Sequence, residues 1–377
     1  MKRICFITSA HPMYTLGGSE VQTYFYAKEF AKQGWIVYFL SYKKKNKLGK
    51  FDNKNIKLVF YKRSKFFLMK WLKTLWLIKR INADIYYYRH SDSQLGLLAI
   101  MSKFYKKKYV WSTTNDDRCG KDTIVNGLLN KYKKQYKYFF IISSIKLKLE
   151  SFLFNFGVEN SNLIVAQNEN QKKIICNDFG KKNTIIVYNS HPIPSDIHTK
   201  LQNKAIFVAN MREIKQPEYF CYIAEKLQNE NYQFLVVGEN YSNTDKARKL
   251  ESLFDKYKIM YLGKQPLEKA NQLIGESKIL VNTSKAEGFP NTFIQAWMRG
   301  VPVVSLNVDP DNLILKNKLG FVCNGDLDIA AKRIEKLLND NSLWQKYSKN
   351  CSVFAKENFN IEINVKKLSK IFKGYNF

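Results

Sequence analysis

Long apolar runs are missing from this sequence. Uninterrupted stretches such as Tyr138 to Ile142 fall far short of the roughly 18 residues that a membrane-spanning helix needs. Histidine is scarce. The four residues His11, His90, His191 and His198 are scattered, so zinc-binding spacing is absent and no metal is implied. The six cysteines form no C-x-x-C pair, which excludes a disulfide scaffold for a chain of 377 residues. Acidic residues are few, 32 against 62 basic ones, for a net charge of +30. The remainder is ordinary. A hydrophobic share of 45% can bury two sizeable cores, and global disorder is excluded.

The charge is uneven. Residues 1–200 hold 36 basic and 13 acidic residues, a net +23; residues 201–377 hold 26 and 19, a net +7. Lys, Asn, Ile, Phe and Tyr are abundant together, as AT-rich coding produces, but that bias alone gives no reason for the asymmetry. Nucleic acid and an anionic membrane surface are the two physical candidates for a partner of the basic half. Near the N-terminus, Lys2-Arg3 precedes a short apolar run, Ile4 to Thr8. The run is too short for a signal peptide and lacks a small-residue cleavage site, so it reads as a first buried strand in a cytoplasmic protein.

The chain alternates strand and helix. Residues 3–8 predict a strand, residues 19–33 a helix closed by Gly34, and Trp35 to Leu40 a second strand. Further strands are predicted at Ile56 to Tyr61, Ile85 to Tyr88 and Tyr109 to Ser112. The pattern breaks at Tyr188 to Pro194, where two prolines mark a turn or linker. It restarts with strands at Ala205 to Ala209, Phe234 to Val237, Lys258 to Leu262, Ile279 to Val281 and Val301 to Leu306. Helices are predicted at Pro217 to Asn229 and Thr292 to Arg299. The expected fold is α/β, with two similar doubly wound domains and a cleft between them. Their boundaries are 1–190, a linker at 191–204, and 205–377, with the last helix packing back on the first domain.

Three segments can carry chemistry. Gly17-Gly18-Ser19-Glu20 follows the first strand and opens a helix, where free backbone N–H groups attract anions. It matches neither G-x-G-x-x-G nor a Walker loop, and a plain tight turn explains it equally well. The segment Ser284 to Val304 is more informative. A strand leads into a loop holding Glu287 and Gly288; Phe289, Asn291 and Thr292 then present backbone N–H groups at a helix start, and Pro290 cannot donate. Glu287 stands at the C-terminal edge of a buried sheet, where open α/β folds bind ligands; it can also serve simply to offset the helix dipole. The third segment, Asn210-Met211-Arg212-Glu213-Ile214-Lys215, follows the first strand of the second domain.

The Glu287-to-Asn291 block resembles the donor-site signature of the retaining GT-B glycosyltransferases of family 4, the glycosyl transferases group 1. The resemblance extends over nearly the whole chain, with Gly17-Gly18 fitting the family's N-terminal glycine loop. It implies two Rossmann-like domains facing a central cleft, and transfer of a sugar with retention from a nucleoside diphosphate donor to a lipid-linked or glycan acceptor. The expected setting is surface polysaccharide synthesis. The nucleotide-sugar is a substrate, and no further cofactor is implied. Glu287 matches the family's first acid, which contacts the donor sugar. Gln295 stands where a second Glu contacts ribose; its amide oxygen still accepts a hydroxyl but without charge. Lys215 fits the family's diphosphate-binding Lys. Asn210 occupies the Arg position, with Arg212 two residues on. In the first domain, counting from Asp84 favours Arg89 as the donor contact, whereas chemistry favours His90, so both stand. Asp116 and Asp117 suit either acceptor hydroxyls or a capping role.

The basic half also holds Lys43-Lys44-Lys45, Lys106-Lys107-Lys108 and the stretch Lys62 to Arg80. In this stretch Phe67, Leu68, Trp71, Leu75 and Ile78 share one helical arc, with Lys73 and Arg80 largely opposite and Lys70 at the flank. That pattern suits an interfacial helix on the inner face of a membrane, or equally a helix packed on the sheet. Two other functions stay open: a GT-B sugar-nucleotide epimerase, and a basic nucleic-acid-binding protein. The latter leaves Glu287 to Thr292 and Lys215 without a purpose, so no nucleic acid is expected as a partner.

Overall fold

Ile4, Cys5 and Phe6 are wholly buried. The strand they form, β1 (Arg3–Ile7), lies inside a parallel sheet covered on both faces, which is why it reads as a continuous apolar run. A computed structural model describes residues 2–8, 17–42, 53–61, 67–121, 123, 139–180, 183–195 and 202–374. The clusters Lys43-Lys44-Lys45 and Lys62 to Lys65 lie outside these residues, as do His11, His198 and much of the loop before Gly17.

Two units make up the chain, Met1–Ser190 with Ile361–Phe377, and His191–Asn360. In the first, β1 is followed by α1 (Gly18–Lys32), β2 (Ile36–Tyr42), β3 (Ile56–Tyr61), α2 (Phe67–Ile81), β4 (Ile85–Tyr88), α3 (Gln94–Phe104) and β5 (Lys108–Ser112). Then come α4 (Phe139–Glu159), β6 (Leu163–Ala166), α5 (Glu169–Phe179) and β7 (Thr184–Ile186). All described pairings are parallel, in the order β3-β2-β1-β4-β5-β6-β7. One face packs against α2, α3, α4 and α5 through Leu77, Leu98, Phe154 and Ile175. The other packs against α1 and the chain's last helix.

The second unit runs β8 (Gln202–Val208), α6 (Pro217–Lys226), β9 (Gln233–Val237), α7 (Thr244–Lys256), β10 (Met260–Tyr261), α8 (Leu267–Gly275) and β11 (Ser277–Asn282). It continues with α9 (Asn291–Trp297), β12 (Val303–Ser305), α10 (Leu313–Lys316), β13 (Gly320–Val322), α11 (Leu327–Asn339) and α12 (Asn341–Asn358). Its parallel sheet has the order β10-β9-β8-β11-β12-β13. Strand order turns back between β1 and β4 in one sheet and between β8 and β11 in the other. At such a switch point the loops leaving the two central strands diverge to opposite faces and leave a crevice. The loops carrying Gly17-Gly18, Arg89-His90, Asn210 to Lys215 and Glu287 to Thr292 all leave these four strands.

The structure divides the chain twice, after Ser190 and after Asn360, where the sequence suggested a second domain of 205–377 whose last helix packs back on the first. The reason is the apolar stripe of α13 (Ile361–Gly374). Ile361, Val365, Leu368 and Phe372 are buried in the first unit, Phe372 stacks on Phe30 at 5.7 Å, and the Trp35 indole N–H donates to Ser369 Oγ at 2.9 Å. Strand β8 also begins at Gln202, inside the expected linker. On α2 the inward side chains include Thr74, Leu77, Ile78 and Ile81, with Leu75 partly buried, whereas Leu72 and Trp76 face solvent. No helix among the described residues is long and apolar enough to cross a membrane.

Candidate active site

In the second unit the loop after β8 turns through Arg212 into a short helical turn, Glu213–Lys215. Gln216 then adopts a left-handed conformation (φ 47°) before Pro217 opens α6. The loop lies close against the end of β9. A Cβ at Gly238, whose φ is 147°, would stand 1.7 Å from the Ala209 carbonyl oxygen. Asn210 braces this contact, its side-chain oxygen accepting from the Glu239 N–H at 3.2 Å. Arg212 is exposed. Glu213 pairs with Lys246, so the neighbouring acid does not neutralise Lys215.

Lys215 instead meets Glu287. The Lys215 ammonium lies 2.6 Å from Glu287 Oε2, with the two side chains 23% and 16% exposed. The other Glu287 oxygen accepts from Ser284 Oγ at 2.7 Å and from the Asn282 side-chain amide at 2.9 Å. The two loops are stitched together behind this pair. Thr283 Oγ1 donates toward the Lys215 and Gln216 carbonyls at 2.7 and 2.9 Å, and the Lys285 N–H donates to the Ile214 carbonyl at 2.9 Å. Neighbouring strands β8 and β11 thus bring together two charges far apart in sequence. Because Glu287 is held by three donors, it is an oriented carboxylate whose position is set before any ligand arrives.

Beyond Glu287 the signature residues divide between lining and support. Gly288 is buried, and Phe289 packs on Phe359 at 5.5 Å. Phe289 therefore anchors the loop through its ring. Asn291 and Thr292 are half-buried at the start of α9. Gln295 is buried on α9, and its backbone carbonyl accepts from Arg299 at 3.1 Å. Behind α9 sits His191. Burial, and then the Arg299 charge, push its pKa down to about 3 against a hydrogen bond to the Asn291 side chain, which favours the cation.

In the first unit Gly17 caps α1 with extended backbone (φ −80°, ψ 146°), and exposed Gly18 begins the helix. Ser19 Oγ donates to the Arg89 carbonyl at 3.2 Å, tying this turn to the end of β4. Residues alternate in facing along and just past β4. Arg89 shares the side of Tyr87, and His90 that of Tyr88, whose ring it meets edge-on at 5.7 Å. The Arg89 guanidinium is consequently buried, donating to the Asn189 side chain and lying beside the Tyr26 and Tyr87 hydroxyls. It braces the end of the first unit. His90 is half-buried, and its carbonyl accepts from the Trp111 indole at 3.1 Å. Asp116 accepts from the amides of Asn168, Asn170 and Gln171, so its carboxylate is occupied within the fold.

Comparison with known proteins bears on this arrangement. The family model described as "Glycosyl transferases group 1" matches residues 202–340, the stretch that contains both stitched loops. This chain is a glycosyltransferase of the GT-B fold.

An uncharacterized glycosyltransferase of Methanocaldococcus jannaschii is 25% identical to it over 81% of this chain and 79% of its own. The capsular polysaccharide biosynthesis glycosyltransferase CapM of Staphylococcus aureus is 22% identical over 67% and 69%. Among solved structures, HepE of Anabaena in complex with UDP and glucose superposes with a TM-score of 0.72, covering all of both chains at 15% identity. Sucrose-phosphate synthase of Thermosynechococcus elongatus superposes at 0.74, covering 99% of this chain and 98% of its own at 14% identity. Sequence reasoning about the glycosyltransferase missed Asn282, Thr283 and Ser284, which hold Glu287 and join the loops. The signal was available: three consecutive buried polar residues close the apolar run of β11, and buried polar groups need partners.

Proposed function

We propose that this glycosyltransferase moves a sugar, with retention of configuration, from a nucleoside diphosphate donor to a lipid-linked or glycan acceptor in surface polysaccharide synthesis. The observation that carries the reading is the Lys215–Glu287 pair held between the two stitched loops. Lys215, assisted by exposed Arg212, neutralises the diphosphate, whose charge grows as the glycosidic bond breaks. When Lys215 turns to phosphate, Glu287 is released to accept hydroxyl hydrogens of the donor sugar while Ser284 and Asn282 keep it in place. Asn210, Gly288, Asn291 and Thr292 line this donor side, and Gln295 takes the ribose position without charge. In the first unit half-buried His90 is the sugar contact. No side-chain nucleophile is required: the departing phosphate takes the acceptor proton. A solved neighbour with UDP and a capsular polysaccharide relative support the donor class and the pathway class.

The test is binding followed by product analysis. Thermal shifts with UDP, GDP, ADP and their sugars should single out one nucleotide. Lys215→Ala should weaken that binding by roughly 10- to 100-fold, the loss of a charge-assisted contact, and should slow transfer with it. Wild-type affinity in the variant removes Lys215 from the site. NMR of the product reads the anomeric configuration, and conversion of the donor without acceptor would favour the epimerase.

The basic first half and the amphipathic α2 support a second part of the proposal: the enzyme works as a peripheral protein on an anionic membrane surface, where a lipid-linked acceptor resides. Binding to vesicles containing phosphatidylglycerol should fall as salt rises.

A further inference from the structure

Among the described residues, large apolar side chains exposed to solvent are unevenly placed. In the first unit they are Leu72 and Trp76 on α2, Ile100 and Phe104 on α3, Leu149 and Phe152 on α4, and Ile363 on α13. Six of these seven lie on three neighbouring helices that cover one face of the sheet. Phe104 is 77% exposed and Phe152 63%, and with Trp76 they are the exposed large aromatics of the described chain. The core does not need them. Leu77, Leu98 and Phe154 already fill the inner sides of the same helices.

The outward apolar residues are flanked by cations. Among the described side chains these three helices carry Lys73, Lys79, Arg80, Lys103, Lys146 and Lys148 against Glu150 and Glu159, and Glu159 pairs with Lys121 at 3.8 Å. Two of the cations lean over aromatic rings, Arg80 over Trp76 at 5.2 Å and Lys103 over Phe156 at 5.3 Å. Such side chains lay their stems along apolar surface while the charged head stays in water.

We propose that the outer side of α2, α3 and α4 is the membrane-contacting face, with Trp76, Phe104 and Phe152 entering the interfacial layer of an anionic bilayer and the surrounding Lys and Arg meeting its phosphates. This rests on the peripheral-membrane reading above and names its surface. The lipid contact spans three helices, and on α2 it falls to Trp76. Charge complementarity selects the occupant. A second copy joined by a two-fold axis would set this excess of cations against itself, at like-charge cost. Aromatic side chains at headgroup level, beside cations, are the arrangement that lipid favours.

The experiment is sedimentation with vesicles of phosphatidylglycerol and phosphatidylcholine, against phosphatidylcholine alone. It compares the wild-type chain with the triple variant Trp76→Ser, Phe104→Ser, Phe152→Ser. Nucleotide-induced thermal shifts serve as the fold control, and light scattering reports oligomeric state. The wild type should bind the anionic vesicles, and the variant's affinity should fall by about tenfold or more with nucleotide binding unchanged. If the wild type ignores anionic vesicles at low salt, the peripheral-membrane reading fails and the assigned face with it. If the wild type binds and the variant binds equally well, the membrane location stands and this face is overturned. If the wild type is a dimer that the variant breaks while vesicle binding persists, the face is an interface between copies and the proposal is likewise overturned.

Discussion

Glu287 has three donors around one carboxylate, and that density decides what its substitution does. Glu287→Gln keeps the shape and one acceptor oxygen but removes the charge facing Lys215. Transfer should fall by on the order of 10²-fold, the scale seen when one transition-state contact is lost. Nucleoside diphosphate binding should hold or tighten, because Lys215 no longer has to leave a partner. Steady-state kinetics alongside calorimetry with the nucleotide checks both halves. Equal activity would leave Glu287 a structural residue. His191 gives a pH prediction. Its folded pKa lies near 3, below the ordinary value of 6.5, because burial penalises the cation. The unfolded chain therefore binds the extra proton first, so this contribution to stability is whole above pH 6.5 and is lost as pH falls below it. The slope is at most about 1.4 kcal/mol per pH unit. Denaturant titrations at pH 6.5 and 5 should show that loss in the wild type and a smaller one in His191→Gln. Matching slopes would mean that His191 does not govern it.

At the scale of elements, strand positions were largely legible, whereas helices such as α7, α8, α11 and α12 were not placed. The strands at Ile56–Tyr61 and Ile85–Tyr88 fall where the apolar runs put them, and Gly34, with φ 85°, follows α1 as a helix terminus requires. Strands β6, β7 and β13 escaped notice because three or four residues carry too little pattern to separate from a helix segment. On α2 the periodicity named an apolar arc but not which side chains would turn inward: Trp76 is outward because Leu77, Ile78 and Ile81 fill the space over the sheet. The loop after β8 depends on one element contact. Gly238→Ala places a methyl 1.7 Å from the Ala209 carbonyl at a φ of 147°, which should cost on the order of 3 kcal/mol. Because the displaced backbone leads to Lys215, nucleotide affinity should fall as well. Thermal melting and nucleotide titration of the variant read the two effects, and an unchanged loop affinity would uncouple Gly238 from the site.

Across the whole molecule, the end of the chain completes its beginning. Phe372 is almost fully buried between Phe30 and Trp35. Phe372→Ala removes a large ring from that core and should destabilise the first unit by about 3–5 kcal/mol. The second unit contains none of this core, so nucleotide binding at Lys215 should survive. Calorimetry should resolve a lowered transition for the first unit with the nucleotide-stabilised transition in place. A single transition that falls as one would show that the two units unfold together.

Residue chemistry and periodicity alone determined the α/β alternation, the break near Pro192 and the charge asymmetry, and a family resemblance singled out Glu287 and Lys215 as candidates. These are local properties, carried by runs of a few residues. Only the tertiary structure decided that Lys215 and Glu287 form one pair, and that Asn282, Thr283 and Ser284 hold it. It also decided that Arg89 turns inward while His90 stays half-buried. Each of these depends on which strands are neighbours and which face of an element is covered. That is settled by competition for buried area among segments far apart in the chain, and no local pattern encodes it.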